Sequence, residues 1–147
     1  MPIRILPGSL DDISELVDLK FAAFATDFHR RVFPLTQDVR EWYTARFQRI
    51  LKQPHGPTLL VKAVDTSIES PNGKHPIVGL AIWSYVTSNA MLTEQALEGQ
   101  AATWPASSDA ALFKRYYRIV REKRIKYMGS RAHCCMFLNG TLLRLWQ

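Results

Sequence analysis

Apolar residues in the first half of the chain follow two different periods. Residues 3–6 form a short, β-branched apolar run closed by a Pro-Gly pair, which predicts an opening strand. Residues 9–25 and 36–51 instead carry apolar side chains every three or four positions, which is typical of amphipathic helices. The stretch between them, residues 26–35, is expected to be a loop. Both helical stretches begin at a residue whose hydroxyl can cap a helix, Ser9 and Thr36.

The middle of the chain predicts two antiparallel strands. Residues 58–65 and 77–86 are rich in apolar and β-branched side chains. The polar stretch 66–76 between them contains Ser-Pro-Asn-Gly, a composition that forms tight turns. The near-continuous apolar run over 77–86 also predicts a central strand that is covered on both faces.

The last third of the chain predicts one long helix and one more strand. Residues 88–109 are hard to assign, although the spacing from Met91 to Leu97 fits a short helix. Residues 110–128 predict a long helix, and residues 133–138 predict a strand. The apolar side chains of the long helix are expected to face the core: Leu112, Phe113, Tyr116, Tyr117, Ile119 and Val120.

The composition is that of a globular domain. Of the 147 residues, 47% are hydrophobic and 22% are charged, a balance that disordered chains do not have. The length suits one domain, so residues 1–147 are interpreted as a single domain. No apolar stretch approaches the ~18 residues of a membrane-spanning helix, and the N-terminus lacks the apolar run of a secretory signal. A cytoplasmic protein without membrane contact is therefore expected.

The sequence offers neither a metal site nor a structural disulfide. Its four histidines are scattered singly, and none stands at ligand spacing from another ligand type. The two cysteines, Cys134 and Cys135, are adjacent and so cannot link distant parts of the chain. A strained disulfide between them is one alternative, but two reduced, buried thiols are favoured.

Three stretches, taken in their order along the chain, resemble one known family. Residues 3–17 contain Ile-Arg-Ile-Leu-Pro and then Asp-Asp-Ile and Leu-Val; residues 21–25 read Phe-Ala-Ala-Phe-Ala; residues 77–83 read Ile-Val-Gly-Leu-Ala-Ile-Trp. They resemble the opening strand, first helix and third strand of the GNAT superfamily of N-acetyltransferases. The long helix before the last strand is similar to fungal-type members. The resemblance implies an α/β fold, a GNAT-like mixed sheet with flanking helices, and transfer of acetyl from acetyl-CoA to an amine.

The resemblance also implies where the cofactor would lie, and where the chain departs from the family. By resemblance, residues 133–139 form the fourth strand, and acetyl-CoA contacts the backbone of Met136, Phe137, Leu138 and Asn139. In the family a glycine-rich turn and a helix follow and hold the cofactor's pyrophosphate. Residues 140–147 form an atypical tail with one glycine instead. We therefore expect the C-terminal part of the fold to be missing, and weak or absent activity is consistent with the sequence.

The residues that could act as acid or base are few. Amine acylation requires a group or a water chain that removes a proton, and donors for the thioester oxygen. The weak candidates are Glu41 on the second helix, Tyr85 at the end of the third strand and His133 at the start of the fourth. Glu41, like Asp38, also has an ordinary role, since acids stabilise the first turns of helices. A lone histidine at a strand start is more often structural, so the catalytic residue is not identified.

Residues 114–131 hold the excess positive charge of the chain. They contain eight basic residues and the single acid Glu122, while the net charge of the whole chain is +6. Such a segment can meet cofactor phosphates, nucleic acid or an anionic membrane. A basic segment of this kind is usually the solvent-exposed face of a helix, so nucleic-acid binding is interpreted as unlikely.

The sequence leaves two function classes open beside acetyl transfer. One is a non-catalytic, partner-binding remnant of the fold, which would associate with itself through an uncovered sheet. The other is nucleic-acid binding through residues 114–131, which would depend strongly on salt. The amine acceptor, a small molecule or a peptide, cannot be identified from the sequence.

Overall fold

The computed structural model describes residues 2–53, 56, 58–68, 73–86, 104–129 and 131–141, and only the backbone of residues 135 and 137–141. Four strands form one antiparallel sheet in which each strand pairs with the next along the chain. The predicted pair at 58–65 and 77–86 is confirmed. The last strand is three residues longer than expected. The strands are β1 (Ile3–Pro7), β2 (Thr58–Asp65), β3 (Ile77–Val86) and β4 (His133–Thr141).

Four α-helices accompany the sheet in the described part of the chain. The stretch at 26–35, expected to be a loop, contains a short helix, because Thr26 caps it by accepting a hydrogen bond from the backbone N–H of His29. The short helix expected from Met91 to Leu97 lies outside the described residues. No described helix is both long and apolar enough to cross a membrane. The helices are α1 (Ile13–Ala23, after a 3-10 turn at Leu10–Asp12), α2 (Asp27–Val32), α3 (Gln37–Leu51) and α4 (Ala110–Met128).

The hydrophobic core lies between one face of the sheet, the inner face, and the helices α1 and α3. Side chains alternate between the two faces of a strand. In β2 this alternation leaves Leu60 only 2% exposed, whereas its neighbour Leu59 is 50% exposed. The buried apolar side chains include those with no exposure at all: Leu16, Val32, Val39 and Phe47.

The other side of the sheet, the outer face, keeps large apolar side chains exposed. The register places Leu59, Trp83 and Met136 in one row across three strands. All three are exposed, as are Ile5 and Tyr85, and none of the five is charged. The expectation that β3 is covered on both faces holds for its first four residues, 77–80, which are all buried. It is wrong for the second half of the strand, where Trp83 and Tyr85 are exposed and the apolar run reflects an apolar outer face.

The bounds predicted for α4 are confirmed, but its environment differs from the expectation. None of its residues is buried. Its first turn is anchored: Phe113 packs 4.6 Å from the ring of Trp104, and Asp109 caps the helix and pairs with Arg31 at 3.0 Å. Leu112, Phe113 and Tyr117 are partly buried, as their spacing suggested. The prediction that the remaining apolar residues face the core is wrong, since each is more than two-fifths exposed: Tyr116, Ile119 and Val120.

Candidate functional site

The pairing of β3 with β4 contains an irregularity. Ile82 lies opposite Leu138, whereas the next residue, Trp83, lies opposite Met136, so Phe137 has no partner on β3. A bulge of this kind takes backbone groups out of the ladder and turns them in a new direction. β4 is also the last strand of the described sheet, so its outer edge presents unpaired N–H and C=O groups. The bulge falls within residues 136–139, the segment that the resemblance assigns to the cofactor.

His133 opens β4, and both of its ring nitrogens are engaged. Nδ1 lies 2.6 Å from the carbonyl oxygen of Arg131. Because a carbonyl oxygen only accepts, Nδ1 carries the proton. Nε2 then accepts a hydrogen bond of 2.6 Å from the Nε–H of Arg124. The lone pair that a general base would use is therefore occupied by a guanidinium group.

Tyr85 lies on the outer face, half exposed, opposite Cys134. Cys134 is free and exposed, so the expectation that it is buried is wrong. Strand alternation explains its position, because the preceding residue, His133, lies opposite the buried Val86. Tyr85 and His133 therefore stand on opposite faces of the sheet.

The carboxylates of α3 are engaged in local hydrogen bonds. Glu41 is exposed and accepts a hydrogen bond of 2.8 Å from the amide of Gln37. Hydrogen bonds from the hydroxyl of Thr36 and then from the backbone N–H and hydroxyl of Ser107 hold the pKa of Asp38 well below its usual value. A carboxylate with so low a pKa is a poor proton acceptor. The structure does not join the three candidate catalytic residues into one site, and each stays a prediction: Glu41, Tyr85 and His133.

Sequence reasoning missed a buried lysine on α1. Lys20 is 2% exposed, and burial, followed by the charge of Arg46, lowers the pKa of its amine to about 8. The sequence does indicate a buried lysine, because Lys20 lies on the apolar stripe of α1, which faces the core rather than solvent. Its Nζ lies 4.2, 5.0 and 5.8 Å from three ring centroids, those of Phe24, Tyr43 and Phe33.

The sequence matches no protein-family model and no curated protein. Arylalkylamine N-acetyltransferase 2 from Aedes aegypti superposes on 99% of this chain with a TM-score of 0.59 and 15% sequence identity. The chain has a GNAT-like fold. The C-terminal condensation domain of Ebony, solved in complex with beta-alanyl-dopamine, superposes on 98% of the chain with a TM-score of 0.57 and 14% identity.

These likenesses concern the fold. The expected GNAT-like mixed α/β architecture, with a curled antiparallel sheet and flanking helices, is confirmed. This chain spans 63% and 61% of the lengths of the two solved chains. After β4 the sequence has no glycine-rich pyrophosphate motif, and residues 142–147 lie outside the described residues.

Proposed function

We propose that this chain transfers an acyl group, acetyl in the first instance, from a coenzyme A thioester to an amine. The observation that carries the proposal is the bulged and open edge of β4 in a GNAT-like sheet. Backbone donors stand there without a partner strand in the described part of the chain. The likeness of the fold to the two solved structures also supports the proposal.

The backbone at residues 136–139 fits the amide-bearing arm of coenzyme A. An extended ligand with amide groups can pair with an open strand edge, as an added strand does. Backbone N–H groups that a bulge takes out of the ladder suit the oxygen of a thioester, on which negative charge develops during acyl transfer. A bound acyl-CoA would supply the activated acyl group. The chain would supply these donors and the pairing with β3 that holds them in place.

The donors that the structure describes all lie on β4. They face the pantetheine arm of the cofactor, so this arm is the part whose binding the described residues explain. Acetyl-pantetheine is therefore expected to bind this chain nearly as well as acetyl-CoA. In a protein that holds the pyrophosphate at a helix N-terminus, acetyl-pantetheine would bind much more weakly than acetyl-CoA.

The proposed acceptor is a primary amine that attacks the thioester directly. The names of the two structural neighbours concern an arylalkylamine and a dopamine conjugate. An arylalkylamine is therefore the first acceptor to test, followed by a small aliphatic amine and a peptide with a free N-terminus. No side chain is assigned as the base, since the three candidates lie apart.

Calorimetric titration with acetyl-CoA, free CoA and acetyl-pantetheine tests the donor site. We expect dissociation constants of acetyl-CoA and acetyl-pantetheine within about tenfold of each other. Deletion of Phe137 removes the bulge. It should weaken the binding of acetyl-CoA and of acetyl-pantetheine by about tenfold or more, since the backbone N–H groups that the bulge had freed would again pair with β3. Circular dichroism and a thermal melt would show that the deleted chain still folds.

Cys134→Ser is the matched control on the same strand. It keeps the backbone of β4 and removes the exposed thiol, which could otherwise exchange with a thioester. Binding by this variant should equal that of the unmodified chain. No binding of either thioester up to millimolar concentration would overturn the proposal. Binding that is lost in Cys134→Ser but kept after deletion of Phe137 would overturn the assignment to the bulge.

The outer face supports a second candidate, a binding module that associates with another copy of itself. Leu59, Trp83 and Met136 form an exposed row without charge, so two such faces can meet without repulsion. Sedimentation over a range of concentrations would detect a dimer. Leu59→Asp should then abolish it, whereas the same change at the exposed Leu35, on the loop before α3, should not. A monomer at all concentrations would exclude this candidate.

A further inference from the structure

One side of α4 combines exposed apolar and cationic residues. At about 100° per residue, a set of five residues falls on the same side of the helix, which we call the α4 ridge: Tyr116, Ile119, Val120, Lys123 and Tyr127. Ile119 is 51% and Tyr127 is 67% exposed. The ridge is about 16 Å long. At its start the ring of Tyr116 lies 5.1 Å from that of Phe28 on α2, whereas Ile119 and Val120 beyond it are 51% and 41% exposed.

Cations border the ridge along its length. Arg115 and Lys126 lie beside it, and Lys123 lies within it, all three exposed. The helix as a whole carries seven basic residues against the single acid Glu122. Helices that lie in the plane of a membrane surface have this combination of an apolar side and flanking lysine and arginine residues.

We infer that the α4 ridge binds an anionic lipid surface. Ile119 and Val120 would enter the boundary between headgroups and acyl chains, and the tyrosines at either end would lie at headgroup depth. The stems of Lys123 and Lys126 are long enough to bring their ammonium groups to lipid phosphates. The inference is independent of the proposed acyl transfer, and it concerns a helix lying on the membrane rather than crossing it.

The charges and side-chain types favour this occupant over two others. A second copy of α4 would bring its own excess of cations against the first, so self-association through the ridge is disfavoured. Nucleic acid could contact the cations and stack on Tyr116 or Tyr127. It would leave Ile119 and Val120 in water, whereas a lipid surface covers them.

The sequence-based expectation was a helix whose apolar residues pack in the core and a protein without membrane contact. The absence of a membrane-spanning stretch, on which the second part of that expectation rested, does not concern a helix that lies on the surface. The exposure of Ile119 and Val120 shows that this side of α4 is not used in the core, so it is free to meet a partner.

Flotation of the full chain with vesicles tests the inference. The vesicles would be pure phosphatidylcholine, or phosphatidylcholine with about 30% phosphatidylserine, in buffer near physiological salt. Binding is expected only with phosphatidylserine. Ile119→Asn should weaken it about tenfold, and Lys123→Gln and Lys126→Gln should each weaken it about fivefold.

Ile125→Asn is the matched control, because Ile125 is also exposed but lies on the opposite side of α4. Its vesicle binding should match that of the unmodified chain. Absence of vesicle binding at millimolar lipid would overturn the inference. So would equal losses in Ile119→Asn and Ile125→Asn, or binding to a single-stranded RNA that outcompetes vesicles and is unaffected by Ile119→Asn.

Discussion

Asp12→Asn is expected to lower the free energy of unfolding by about 3–5 kcal/mol, as removal of one partner from a buried ion pair does. Lys62 lies in the middle of β2, where its Nζ donates to both carboxylate oxygens of Asp12 at 2.6 and 2.7 Å. The two side chains are only 16% and 11% exposed. Asparagine keeps the shape of the aspartate but leaves the ammonium group of Lys62 without a counter-charge. Urea denaturation at neutral pH measures the difference.

The ion pair between Asp12 and Lys62 also makes the stability of the fold depend on pH, in a direction that can be predicted. Burial alone would raise the pKa of Asp12, but hydrogen bonds from Lys62 and Ser9 outweigh it and hold that pKa below the ordinary value of 3.8. A carboxylate with a lowered folded pKa stabilises the fold above pH 3.8, and this stabilisation is lost as the pH falls through the folded value. Asp12→Asn should therefore remove part of the acid destabilisation that the unmodified chain shows.

Asp18→Asn provides the comparison for a surface pair. Asp18 and Arg40 are 2.6 Å apart, as close as the buried pair, but their side chains are 59% and 43% exposed. Solvent screens such pairs, so a loss below about 1 kcal/mol is expected. In a double-mutant cycle, Lys62→Met should reduce the cost of Asp12→Asn because it removes the stranded charge. Similar losses in Asp12→Asn and Asp18→Asn would contradict the buried-pair interpretation.

The elements that the sequence predicted well are those with a strong local pattern. β2, β3 and α3 were identified from side-chain period and turn chemistry, which act within a few residues. The six-residue α2 is too short to show a period, and its cap at Thr26 is a weak signal when taken alone. For α4 the period identified the helix correctly but could not show what covers its apolar side. That depends on tertiary contacts, and the contact of the outer half of α4 with β4, through Arg124 and His133, leaves Ile119 and Val120 exposed.

The cofactor part of the candidate site was predicted by resemblance, as a segment of backbone, and the three candidate side chains were not brought together by any sequence pattern. The bulge at Phe137 is a relation between two strands, so no pattern within residues 133–141 alone could reveal it. The hydrogen bonds of His133 are likewise set by the approach of α4 to β4. Lys20 is different, because a lysine on the apolar stripe of α1 is visible in the sequence. It predicts a buried amine, and the structure supplies the aromatic rings around it.

Lys20→Met is expected to raise the free energy of unfolding at pH 7 by about 1–3 kcal/mol. Burial lowers the pKa of Lys20 from 10.5 to about 8, a difference that corresponds to about 3 kcal/mol of cost when the amine is charged. The contacts of Nζ with the rings of Phe24 and Tyr43, at 4.2 and 5.0 Å, offset part of this cost. Methionine fills the same volume without a charge to bury.

The pH dependence separates this effect from simple repacking. Between pH 8 and pH 10.5 the unfolded chain binds more protons at Lys20 than the folded chain does, so the stability of the unmodified protein rises with pH in this window. Below pH 8 the folded chain carries the full cost of burying the charged amine of Lys20. The advantage of Lys20→Met should therefore be largest at pH 7 and shrink by pH 10, whereas the exposed control Lys123→Met should show no such trend. A variant that is less stable than the unmodified chain at pH 7 would mean that the contacts between ammonium and rings outweigh the cost of burial.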